Sequence, residues 1–151
     1  MSEEQQRRMC VFLPAREGQV WAVPQNCLGE IVTLQDAETA PPPAVTWRGQ
    51  RVPVIDFGGP DGPRWRDEKT VSGLIAVFLG IREQACDYWG LALRGPGLGV
   101  RRLEDAACSD RPEACGEYAL AAFEFEGRLY QVPDLPALQA FACEVGRAAT
   151  A

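Results

Sequence analysis

The tripeptide Asp56-Phe57-Gly58 is the first place where this chain could do chemistry, because the same three residues hold a catalytic magnesium in protein kinases. Phosphoryl transfer needs more than one aspartate. A Gly-rich loop over the phosphates, a strand lysine, and a catalytic-loop Asp and Asn must all precede the metal-binding Asp. The single lysine, Lys69, follows Asp56, and no histidine is present from which a His-Arg-Asp loop could be made. The one Gly-rich stretch, "GPGLG" (Gly95 to Gly99), also comes after Asp56 and contains a turn-forming proline. Asp56 is therefore expected at a strand end, not on a metal.

Cysteine is the other reactive type. The six are Cys10, Cys27, Cys86, Cys108, Cys115 and Cys143, none in C-x-x-C spacing and none with a histidine to complete a zinc site. A nucleophilic cysteine usually wants a histidine base, which is missing. Cys108 and Cys115 flank "SDRPEA", a loop that an oxidising compartment could close but the cytosol would not. The thiols are expected to be reduced, with Cys10, Cys27 and Cys143 packed as small hydrophobes. Neither a metal nor another cofactor is expected.

Composition narrows the remaining classes. The 151 residues suffice for one domain or two small lobes sharing a core, with 46% hydrophobic and 24% charged residues. The net charge of -6 opposes a nucleic-acid groove, since nothing could neutralise a run of phosphates. The start, "MSEEQQRRMC", lacks an apolar signal region, and no run approaches the ~18 apolar residues of a membrane span. The expected location is the cytoplasm. Arginine in place of lysine, with much Ala, Gly and Pro, suggests a GC-rich bacterial genome.

Residues 1–9 read as a disordered tail. From Cys10 short β-branched and aromatic runs alternate with turn residues, which predicts strands. "CVFLP" and "QVWAVP" form a hairpin about Arg16 to Gly18, and "LGEIVTL" follows. "DAETAPPPA" is a loop, because three prolines cannot continue a ladder. "VTWRGQRVPVIDF" is a hairpin turning at Arg48-Gly49-Gln50, and "GGPDGPRWRDEK" is a second loop. "TVSGLIAVFLG" is apolar on both faces and so central, pairing with "DYWGLALRG" across "IREQ". Residues 104–116 are an acidic loop or short helix. "YALAAFEFEGRLYQVPDL" is the last hairpin, at Glu126-Gly127. One helix follows, capped by Asp134, with Pro136 in its first turn, Leu138, Phe141, Ala142 and Val145 on its apolar face, and Gly146 at its end. "GQRVPVIDF" (Gly49 to Phe57) and "GRLYQVPDL" (Gly127 to Leu135) align without a gap, which two packed antiparallel barrels would explain and chance could also produce.

These stretches resemble the CheW-like coupling proteins of bacterial chemotaxis. "GQVWAVPQNCLGEI" (Gly18 to Ile31) is similar to the family's early strand and "EI" segment. "TWRGQRVPVIDF" (Thr46 to Phe57) is similar to its Asn-Leu-Arg-Gly turn and "PVVDL" strand. "GLALR" (Gly90 to Arg94) and "GRLYQVPDLPAL" (Gly127 to Leu138) are similar to its later strand and closing segment. Three departures stand out: Thr46-Trp47 for Asn-Leu, Arg94 for an aspartate, and the prolines Pro133 and Pro136.

The resemblance implies a mostly β fold: two SH3-like five-stranded antiparallel barrels around a shared core, with a C-terminal helix. Residues 10–147 would form one domain, with a first subdomain at roughly 20–80 and a second at roughly 10–19 plus 81–147. It implies a non-catalytic adaptor joining the cytoplasmic tip of a chemoreceptor to the regulatory domain of a histidine autokinase, with a flagellar or pilus output. The residues expected to meet partners are Leu28, Glu30, Ile31, Trp47, Arg48 and Gly49. Glu30 and Arg48 are expected to pair at the surface. Two readings of Trp47 stay open, an exposed hot spot forming an apolar patch with Leu28 and Ile31, or a lid folded onto the first barrel. A different class, a small-molecule-binding barrel module, would use Trp21, Trp47, Trp65 and Trp89 to line a pocket.

Overall fold

Tight turns decide which strands share a sheet. The structure, a computed structural model, describes residues 9–16, 18–59, 61–81 and 86–150. In chain order the strands are β1 (Met9–Arg16), β2 (Gln19–Pro24), β3 (Leu28–Gln35), β4 (Ala44–Trp47), β5 (Gln50–Ile55) and β6 (Arg66–Asp67). They continue as β7 (Ser72–Leu79), β8 (Tyr88–Ala92), β9 (Gly99–Arg102), β10 (Cys108–Asp110), β11 (Ala119–Phe125) and β12 (Arg128–Pro133), followed by helix α1 (Leu135–Thr150). The expected tail begins outside the described residues, but Met9 already belongs to β1. Four residues of the loop between β7 and β8 also lie outside them.

One sheet runs β10-β11-β12-β2-β1-β9, and the other runs β3-β7-β8-β5-β4 with β6 on β7. Both curl into half-barrels. Each carries a sixth, short strand beyond the five expected, β10 in one and β6 in the other. Two strands lie in a different sheet from the one their sequence position suggested. β2 stays beside β1, and β8 beside β7, because an antiparallel hairpin holds both its strands in one sheet.

The internal repeat corresponds to structure. β5 and β12 each pair antiparallel with the preceding strand and parallel with a strand from further away, β5 with β8 and β12 with β2. The turns that launch them match as well. Arg48 and Gly49 have φ of 49° and 75°, Glu126 and Gly127 51° and 77°. Two successive positive φ values suit the right-handed twist of the flanking strands, and glycine at the second position removes half the steric cost.

Three apolar layers result. Phe12, Ala22, Phe123, Phe125 and Tyr130 fill the first half-barrel. Trp47, Val52 and Val77, with Val54, Trp65 and Ile75, fill the second. Between them lies a shared core containing Leu13, Trp21, Val23, Phe78, Trp89 and Leu91, closed by Leu138 and Ala142 of α1. Phe78 and Trp89 stack there with ring centroids 4.1 Å apart. Strand alternation feeds both layers at once: Ile75 and Val77 point into the half-barrel, Ala76 and Phe78 into the shared core.

The free edge of the first half-barrel is tied by charge. Arg101 on β9 donates to both carboxylate oxygens of Glu126, at 3.0 and 2.6 Å, and its guanidinium lies 5.2 Å from the centroid of the Phe125 ring. These hydrogen bonds, with the charge of Arg101, hold the Glu126 carboxyl below its ordinary range. A lowered folded-state pKa stabilises the protein above the unfolded value, ~4.3 for glutamate, and that contribution disappears as pH falls through the folded value. Acid titration of Glu126→Gln should therefore show a shallower loss of melting temperature below about pH 4.3 than the parent does, with little difference at high salt.

Helix α1 begins where Asp134 Oδ1 accepts the amide of Ala137 at 3.2 Å. Gly146 does not end it: the helix continues to Thr150. A side chain at Gly146 would press against the ring of Pro53 at 2.9 Å, so the glycine serves helix-to-strand approach rather than termination. Gln139 is 1% exposed. Its Oε1 accepts from the Ile81 amide at 2.9 Å, and its Nε2 donates to the carbonyls of Ile81 and Cys86 at 3.0 and 2.7 Å. One helical turn further, Cys143 is in a disulfide with Cys86, 57 positions away. That corrects the expectation of six reduced thiols and of Cys143 as a simple packed hydrophobe. Cys108 and Cys115 are not joined. Gln139→Leu leaves an amide and two carbonyls facing an apolar group, and should cost about 2–4 kcal/mol of unfolding free energy in urea melts. Gln139→Glu should recover little of that, because a carboxylate cannot donate to the two carbonyls.

Candidate functional site

The residues expected to meet partners lie on β3 and on the β4–β5 turn, at opposite ends of the second sheet's strand order. Curling brings those two edges together. A register shift between Leu28 and Glu30 puts a bulge at the start of β3. Leu28 and Ile31 pack half-buried against the shared core, whereas Val32 packs with Trp47 inside the half-barrel. Leu28 and Ile31 thus lie on the far face of β3 from Trp47. The apolar patch expected from the three together does not form.

Trp47 is the lid. It is 6% exposed and packs on Val52 and Val77, with Tyr88 meeting its ring edge-on at 5.1 Å between centroids. The ring lies over Gly29, where an added Cβ would sit 2.6 Å from it, so only glycine lets the two edges approach this closely. The indole Nε1 donates to Glu30 Oε1 at 3.3 Å, and the Arg48 guanidinium lies 4.4 Å above the ring. Glu30 and Arg48 therefore do not make the expected ion pair. Both engage the tryptophan instead, one in its plane and one on its face. Glu30, Arg48 and Gly49 are exposed around it. Leu79, 44% exposed, adjoins them through Gly29. Sequence reading missed Leu79, and its place at the end of a strand apolar on both faces was the one available signal.

The tripeptide that resembled a metal ligand has a structural role. Arg94 donates to both oxygens of Asp56 at 2.7 Å and to the Pro63 carbonyl at 3.1 Å. The hydrogen bonds to Asp56, with its charge, push the guanidinium pKa up further, against the desolvation that lowers it. Phe57 lies among Trp21, Tyr118 and Phe141. Any side chain at Gly58 would occupy the space of Arg94. The arginine at a position where the resemblance expects aspartate is thus matched by Asp56, which it ties to the following loop. Among the described residues no group of three or more Cys, Asp or Glu side chains could hold a metal, and no helix is long and apolar enough to cross a membrane.

The four tryptophans are all buried, at 1–6% exposure. Trp21 and Trp89 belong to the shared core. Trp65 packs on Ile75 and Ala92, and its Nε1 donates to the Leu74 carbonyl at 2.9 Å. Its edge lines an open cleft of about 640 Å³ beside Gly58, Arg66 and Arg94. Both of those arginines are already paired, with Glu68 and Asp56. Trp21, Trp47 and Trp89 do not line that cleft.

No family model and no curated protein matches the chain. Among solved structures, the scaffolding protein TtCheW from Thermoanaerobacter tengcongensis is similar over 88% of each chain, with a TM-score of 0.57 and 11% sequence identity. The fold is CheW-like. The two curled sheets are its two SH3-like subdomains, and Trp47 closes the one built from β3 to β8.

If Trp47 is a lid, its removal is felt in stability first. Trp47→Ala should lower unfolding free energy by about 3–5 kcal/mol, while Trp47→Phe, which keeps the ring but not the bond to Glu30, should lose about half as much. Gly29→Ala should also destabilise, by about 1–3 kcal/mol, chiefly by pressing on the Trp47 ring. Chemical denaturation of the three variants reads all of these.

Proposed function

We propose that this chain is a non-catalytic adaptor of a bacterial chemosensory pathway, working in the cytoplasm. It joins a chemoreceptor's cytoplasmic tip to the regulatory domain of a histidine autokinase. The observation that carries the reading is the likeness to a scaffolding protein across 88% of both chains, together with four motifs that resemble the same family in the same order. The chemistry of the chain agrees with it, because Asp56, the residue most suggestive of catalysis, is occupied by Arg94.

The kinase-facing surface we propose is the rim around the Trp47 lid. Arg48, Gly49 and Glu30 supply its polar part and Leu79 its apolar part, with Leu28 and Ile31 supporting β3 from beneath. Trp47 itself contributes by holding Arg48 and Glu30 in place rather than by contact. The Arg48 guanidinium is pre-organised on the indole face, which lowers the entropy lost when it meets a carboxylate.

The test uses variants confined to exposed atoms. Arg48→Glu and Leu79→Glu should each leave unfolding free energy within about 0.5 kcal/mol of the parent. Each should weaken binding to a kinase regulatory domain about thirtyfold, as a loss of ~2 kcal/mol implies. Titration calorimetry against that domain and against a receptor-tip fragment measures both partners. Full affinity in both variants would remove this surface from the proposal. Absence of binding to either partner by the parent chain, with a thermal shift on a small metabolite instead, would replace the adaptor reading by a ligand-binding module.

A further inference from the structure

We propose that Cys86 and Cys143 form a reversible thiol–disulfide switch that controls how tightly α1 holds the backbone of Ile81 and Cys86, with a low-molecular-weight thiol as the exchanging partner. The proposal rests on the cytoplasmic placement above. In that compartment a disulfide is normally reduced, and one that forms there is usually transient or redox-sensing.

Three observations support it. The bond is a second attachment at a place already attached. Gln139 holds Ile81 and Cys86 by three hydrogen bonds, and Leu138 and Ala142 anchor the helix in the shared core at 0% exposure. Breaking the disulfide therefore leaves the helix docked and the fold intact. The two sulfurs also differ in access: Cys143 is buried and Cys86 is half-buried, so an incoming thiolate meets Cys86 first. Finally, the reduced form has an acceptor waiting, because Cys86 Sγ lies 4.0 Å from the Gln139 carbonyl oxygen, within reach of an S–H donor.

The exchange balances as follows. A small-molecule thiolate attacks Cys86 Sγ, the S–S bond breaks, and Cys143 leaves as a thiolate that takes up a proton. A second small-molecule thiolate then attacks the mixed disulfide at the small molecule's sulfur and displaces Cys86. The products are two protein thiols and one small-molecule disulfide, so two electrons pass to the protein. Reoxidation runs the same steps in reverse. Ile81, the residue so released or held, is 48% exposed and lies two positions from Leu79 of the proposed kinase-facing rim.

The full chain is equilibrated with glutathione over a series of reduced-to-oxidised ratios, acid-trapped and alkylated, and its thiols are mapped by mass spectrometry. Native amide exchange is recorded on the same samples. Cys86 and Cys143 are expected to convert together from disulfide to thiols within the series. Circular dichroism should not change, exchange at Leu138 and Ala142 should stay slow, and exchange at the Ile81 amide should accelerate about tenfold or more, as a local opening would. Cys86→Ser, at the more accessible position, should reproduce the fast Ile81 exchange at every ratio. A bond that persists natively to the reducing end is a permanent cross-link and overturns the proposal, as does reduction that leaves Ile81 exchange unchanged or that unfolds the helix. Trapping in intact cells separates this from the adaptor reading. Thiols in growing cells that become a disulfide under oxidant support the switch. A disulfide in all conditions refutes it and the cytoplasmic placement together, whereas partner binding is measured independently.

Discussion

Strands β1, β2, β7 and β8 bury both of their faces, and the rest of the molecule is arranged to make that possible. A strand apolar on one side only can sit on the surface of a single sheet. One that carries Ile75 and Val77 on one face and Ala76 and Phe78 on the other must lie between two apolar layers. Curling each sheet supplies one layer, and packing the two curled sheets together supplies the other. The stacked Phe78 and Trp89 pair marks the centre of this arrangement, and α1 covers the side that the sheets leave open through Leu138 and Ala142.

Curling creates edges that must be brought together, and the two half-barrels do it with unlike chemistry. In the first, Arg101 reaches from β9 to Glu126 in an exposed, bidentate ion pair, a closure that salt and acid weaken. In the second, the Trp47 indole lies on Gly29 and is pinned by Glu30 and Arg48. Burial dominates there, so the closure should be nearly indifferent to salt. The sturdier closure is found on the subdomain whose rim we propose for kinase binding. A rim that must keep its shape through binding gains from a rigid aromatic beneath it more than from a solvated charge pair.

The adaptor role we propose would need a rigid molecule, because partners would have to be held in register. Asp56 and Arg94 tie the loop after β5 to the chain leaving β8. Gln139 ties the segment after β7 to α1 without exposing a polar atom to an apolar neighbour. Both contacts are answered by partners, and for the buried Gln139 that is the condition under which a buried polar group orders a structure rather than weakens it.

The strand pattern, the turns and the internal repeat were legible in the sequence because each is local. Alternation over eight residues states which faces of β7 are apolar, and Arg48-Gly49 and Glu126-Gly127 state where the chain reverses. The gap-free alignment of β5 with β12 reflects two strands with the same pairing duties. The edges were not legible. The sequence left Trp47 open between an exposed hot spot and a lid, because its burial depends on Gly29, eighteen positions earlier and on the opposite edge of the sheet. The short strands β6, β9 and β10 exist only because a longer neighbour offers them a ladder. Cys86 and Cys143 carry no spacing signal, since 57 residues separate them and helix docking alone sets their Cα atoms 5.7 Å apart. Periodicity records what each residue would like to bury. Which distant residue meets it there is decided by how the sheets curl and close.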